Sequence, residues 1–89
     1  MKRYALVRNA RTRQEAEAYL PDNYRVIHEL GPSIARWDSR LSRGPMFVIE
    51  GTDRAGWTLD DYVIPRYASG IIACEEIDLS HPLMKEVAQ

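Results

Sequence analysis

Two helix starts stand in matching places between runs of strand-forming residues, and this alternation restricts the 89-residue chain more than any other feature of it. Thr12-Arg13-Gln14-Glu15 fits a capping box, in which the threonine hydroxyl and the glutamate carboxylate satisfy orphan amides of a first helical turn. It predicts a helix over 13–20, stopped by Pro21, which disfavours helical geometry at Leu20. Thr58 caps the second helix, with Asp60 and Asp61 in the first turn where the helix dipole favours acids and Gly70 as its natural end. That helix is expected over 59–69. Pro65 in its interior removes a donor and clashes with the preceding turn at a cost of about 3 kcal/mol, so a kink or a break is expected there.

Around these helices lie four apolar runs rich in strand formers: residues 4–8, 24–30, 46–50 and 71–77. Met46-Phe47-Val48-Ile49-Glu50 is the strongest, closed by Gly51 and a polar loop, Thr52-Asp53-Arg54-Ala55-Gly56. Ser80 caps a last short helix, with Pro82 in its first turn and Leu83 and Val87 on one face. The order β-α-β-β-α-β with a helix after it is that of an α+β, ferredoxin-like two-layer sandwich: a four-stranded antiparallel sheet, both helices on one face and an extra C-terminal helix. A chain of this length holds one such domain, 1–89, and not two.

Gly31-Pro32 and Gly44-Pro45 bound an insert, 33–43, between strands two and three. Ile34, Trp37 and Leu41 fall within about 60° of one another on a helical wheel, with Arg36, Arg40 and Arg43 opposite, so the insert reads as a short amphipathic helix capped by Ser33 or as a loop.

In a two-layer fold one sheet face meets solvent and strands should alternate between apolar and polar residues. These strands carry apolar residues on both faces. Tyr4, Leu6, Val26, Phe47, Ile49, Ile72 and Cys74 can supply one, which leaves Ala5, Val7, Ile27, Met46, Val48 and Ala73 on the other. So large an apolar patch calls for a cover: the insert, the C-terminal helix or a second copy of the chain. A homodimer is therefore expected.

Net charge is −1, but the halves differ: nine Lys/Arg against five Asp/Glu in residues 1–44, three against eight in 45–89. A basic half can mark a nucleic-acid surface, or it can serve to attract the acidic half within one fold or across a dimer. No apolar run is long enough for a membrane span and the N-terminus turns polar too early for a secretory signal, so the expected compartment is the cytoplasm and no membrane partner is expected. Cys74 is the one cysteine, and with two histidines it makes neither a disulfide scaffold nor a zinc site. No Gly-rich phosphate cradle and no catalytic signature is present; His28, His81, Cys74 and the Asp60-Asp61 pair each have a simpler structural reading. The chain is thus expected to be non-enzymatic and without a cofactor. For binding, Trp, Tyr and Arg are the residues that dominate hot spots, which points to Arg36, Trp37, Arg40 and Arg43 of the insert and to Trp57, Tyr62, Arg66 and Tyr67 around the second helix.

Residues 56–71, GWTLDDYVIPRYASGI, and less closely 15–24, EAEAYLPDNY, resemble small accessory proteins of actinobacterial phages, mycobacteriophages in particular. The resemblance implies a phage product acting in a bacterial cytoplasm on a host or phage protein; it implies no catalytic residue. Nucleic-acid binding through the basic half and the insert is the alternative.

Overall fold

Apolar strand runs bury their backbone polar groups only by pairing, and here four of them form one antiparallel sheet. The computed structural model describes residues 1–30, 46–68, 72–78, 80, 81 and 84. Its elements are β1 (Lys2–Arg8), α1 (Arg13–Glu17), β2 (Tyr24–Leu30), β3 (Met46–Thr52), a π-helical turn (Leu59–Val63) running into α2 (Ile64–Ala68), and β4 (Ala73–Ile77). The sheet order is β2-β3-β1-β4. The protein is thus α+β, with a four-stranded antiparallel sheet and short helices.

Register decides which side chains meet. Ala5 lies opposite Ile49, Val7 opposite Phe47 and Leu6 opposite Val48, and directly opposed residues of an antiparallel pair share a face. One face therefore presents Ala5, Val7, Val26, Phe47 and Ile49 to Ala16 of α1 and to Leu59, Val63 and Tyr67 of the second helix. The other presents Leu6, Met46 and Val48 with Ile77 and Met84, and Tyr4 and Ile27 at their margin. This corrects the sequence grouping: Ala5 and Val7 join Phe47, while Tyr4 and Leu6 join Val48. Single-strand alternation cannot reveal it, because the two faces of β1 are equally apolar.

The second face is not an open patch. Leu6 and Val48 are 0% exposed within the single chain, and Met84, far along the chain, packs on them. The cover that the sequence calls for thus includes the C-terminal segment. Ala73 does lie on that face, opposite Arg8, but at its exposed margin.

The caps form as expected. The Glu15 amide donates to Thr12 Oγ1 at 3.1 Å and the Asp61 amide to Thr58 Oγ1 at 3.0 Å. Helix α1 is shorter than the 13–20 expected, because beyond Glu17 the chain tightens into i→i−3 bonds, Ala18 to Glu15 and Leu20 to Glu17, on its way to Pro21. Pro65 neither breaks nor splits its helix. The Val63 amide reaches the Thr58 carbonyl, five residues back, at 3.1 Å, and Ile64 reaches Leu59 in the same register. A turn widened in this way relieves the clash between a proline ring and the carbonyl four residues before it.

Gly51, read from sequence as the end of a strand, is inside β3. A Cβ there would come within 2.4 Å of the Tyr24 ring and 2.3 Å of the Asn23 carbonyl, so glycine is what lets Tyr24 lie across the sheet. The insert 33–43, Gly70 and the body of the expected C-terminal helix lie outside the described residues. Among those described, no helix is long and apolar enough to cross a membrane.

Candidate functional site

One end of the sheet gathers most of the polar chemistry. There the starts of β1 and β2, the ends of β3 and β4, the turn at 21–23 and the loop at 53–58 converge. At its centre, Arg3 donates through Nε and Nη2 to Glu76 at 2.9 and 2.8 Å, through Nη1 to Asp53 at 2.7 Å, and through Nη2 to Asp60 at 3.0 Å. These bonds, those to Glu76 foremost, hold the guanidinium firmly charged. Asp53 in turn accepts from the Tyr24 hydroxyl at 2.5 Å and the Leu59 amide at 2.9 Å. With the Tyr24 bond contributing most, its carboxyl is brought down to about 2.

The charge asymmetry of the sequence resolves here as attraction between the halves. Lys2 and Arg25 reach Glu50, Arg8 reaches Glu75 and Arg3 reaches its three acids, while Arg54 of the second half reaches back to Asp22. Among the described residues, Lys2, Arg3, Arg8 and Arg25 of the first half are thus paired with acids of the second. Two clefts open nearby, about 350 Å³ beside Lys2, Arg25 and Glu50 and about 540 Å³ beside Tyr4, Ile77 and Asp78. Their charged walls are paired within the chain, Glu50 to both cations and Asp78 to Ser80. Among the described residues no cluster of His, Cys, Asp or Glu could hold a metal ion.

On the outer side of this end lies a row of stacked groups. The Arg54 guanidinium sits 5.9 Å from the centre of the Trp57 ring, Trp57 lies 4.6 Å from Tyr62 at an interplanar angle of 57°, and the Arg66 guanidinium sits 5.1 Å from the Tyr62 ring. Trp57 is 38% exposed, unusual for so large an apolar side chain. No family model, curated protein or solved structure matches this chain.

The row is built by local sequence. The Trp57 amide donates to the Arg54 carbonyl at 2.8 Å, closing a four-residue turn whose third residue, Gly56, has φ +80°; a type II turn requires that conformation there. Tyr62 and Arg66 are four apart on one helix and so share a face. Of the sequence candidates, Trp57, Tyr62 and Arg66 are thus brought together. Tyr67 is not with them: it is 1% exposed, its hydroxyl donates to the Ala16 carbonyl and its ring meets Tyr19 edge-on at 5.2 Å, so it joins α1 to α2 as core. Arg36, Trp37, Arg40 and Arg43 lie outside the described residues. Arg54 is the member that the sequence reading missed, and the signal for it was Ala55-Gly56, the turn dipeptide that brings residues 54 and 57 side by side.

Groups whose titration is displaced move away from neutrality. Burial pushes Tyr24, Tyr67 and the Cys74 thiol up, Cys74 to about 12, and Arg25 pulls Glu50 down. Neither Asp53 nor Cys74 is poised to exchange a proton near pH 7.

Proposed function

We propose that this chain is a small non-enzymatic protein of phage type that binds and modulates a host or phage protein in the bacterial cytoplasm, and that the Arg54–Trp57–Tyr62–Arg66 row is its contact surface. The observation that carries the reading is Trp57: a large aromatic side chain left partly exposed, with the Tyr62 ring at 4.6 Å and the Arg54 guanidinium at 5.9 Å. Trp, Tyr and Arg in one well-supported cluster is the composition of a binding hot spot. Arg36, Trp37, Arg40 and Arg43 are proposed as further partner-binding residues, on residue type alone. The phage setting rests on the resemblance at 56–71 and 15–24.

Among the described residues, the electrostatics support a protein partner more than nucleic acid. Phosphate binding draws its strength from cations free to displace counterions, whereas Arg54 holds Asp22 at 2.6 Å and Lys2, Arg3 and Arg25 hold acids of their own. The framework is proposed to be ferredoxin-like, with a helix following Ser80; the sheet order and the packing of Met84 support it. A homodimer is proposed to use a surface other than the apolar sheet face, since Leu6 and Val48 are buried within one chain.

The test is affinity purification from nuclease-treated actinobacterial lysate with the parent chain and Trp57→Ala, washed in low salt and then in about 1 M salt, where the Debye length is about 3 Å. One defined protein, retained at high salt by the parent and lost with Trp57→Ala, is expected. Equal recovery by both chains, or, in a parallel purification from untreated lysate, recovery of nucleic acid alone, contradicts the reading.

A further inference from the structure

We infer that Asn23 is the positioning residue of this surface, holding Trp57 in place before any partner arrives; the inference rests on the role proposed above for the aromatic row. Asn23 lies in the turn between α1 and β2, remote in sequence from the row. Its carboxamide Nδ2 donates both hydrogens across the gap, to the Thr52 carbonyl and to the Trp57 carbonyl, each at 2.9 Å. The Asn23 backbone carbonyl accepts from the Thr52 amide at 3.3 Å. Next to it, Asp22 holds the Arg54 side chain.

Trp57 is thereby fixed by both of its backbone groups. Its amide is bound to Arg54 within the turn, its carbonyl to Asn23 from outside it, and one residue further on Thr58 begins the helix cap. The Asn23 acceptor, Oδ1, is buried with no partner among the described residues. A buried acceptor left unmatched is a cost, so the carboxamide is there for its two donors, a pair that neither aspartate nor serine supplies. The consequence is preorganisation: an exposed aromatic side chain whose backbone is already ordered forfeits less entropy on binding.

The test needs no partner. In a Trp37→Phe background Trp57 is the sole tryptophan, and its acrylamide quenching and anisotropy are measured well below the melting transition. Asn23→Ala is expected to raise the quenching constant about two-fold and lower the anisotropy, with Asn23→Ser, which keeps one shorter donor, in between. Thr12→Ala, which removes the cap of α1, serves as the control: it lowers the melting temperature and leaves both signals at the parent's values. Quenching in the Ala and Ser variants equal to the parent's, or an equal change in Thr12→Ala, overturns the inference. Should the Ala variant fail to fold, the Ser variant decides. Because fluorescence reads Trp57 directly, this outcome is separate from whether Trp57→Ala releases a partner.

Discussion

Asp53 takes hydrogen bonds from a β1 guanidinium, a β2 phenol and the amide that opens the second helix, so one carboxylate ties three parts of the chain together. Replacing it with Asn keeps the shape and removes the charge, which should cost roughly 1–2 kcal/mol for partly exposed charge-assisted bonds. The sign of the pH effect follows from the depressed carboxyl. Its contribution is complete above the ordinary aspartate range and is lost as pH falls from about 4 toward 2. Melting temperatures from pH 7 down to 2 should fall in that window for the parent and less steeply for Asp53→Asn; parallel curves would contradict the assignment. Cys74, raised to about 12 by burial, should react with a disulfide reagent at pH 8 many times more slowly folded than unfolded. Equal rates would place it elsewhere. The reading of Cys74 as a small hydrophobe was legible from its apolar neighbours; Asp53 was not, because its three donors come from residues 3, 24 and 59.

At the scale of elements, both helix caps and all four strands can be read from the sequence, since caps, turns and apolar runs are local signals. Their ends are less legible. Strand β3 runs through Gly51 because a ring from β2 needs the space above it, and no local pattern carries that. The faces of β1 were interchanged because they are equally apolar and only the register with β3 separates them. Pro65 was rightly seen as incompatible with a regular helix, but whether a helix breaks or widens depends on what holds its start, here Thr58 and the Asp53 clamp. Pro65→Ala should return residues 59–63 to the α register. Hydrogen exchange should then show a protected amide at position 65, and Trp57 emission should shift as Tyr62 rotates away from it. An unchanged emission and no protected amide would mean that the clamp alone imposes the wide turn.

For the whole molecule, two consequences follow from a sheet buried on both faces. Leu6 should be as costly to truncate as a residue between sheet and helices: Leu6→Ala is expected to lose about 2–5 kcal/mol in denaturant unfolding. A loss below about 0.5 kcal/mol, typical of surface positions, would show that this face is open. With both faces occupied, the row at the sheet end is, among the described residues, the surface proposed to meet a partner. Sequence reasoning reached three of its four members by residue type. It could not separate them from Tyr67, which has the same composition but faces the core.

Placing a photo-crosslinking phenylalanine analogue at position 55, exposed in the turn between Arg54 and Trp57, tests that claim most directly, with position 11, exposed on the other side of α1's cap, as the comparison. Irradiated in nuclease-treated actinobacterial lysate, the chain labelled at 55 should yield one discrete protein adduct, which an excess of unlabelled parent removes and an excess of Trp57→Ala does not. The same adduct from position 11, or none from position 55 while the protein stays folded, would contradict the account.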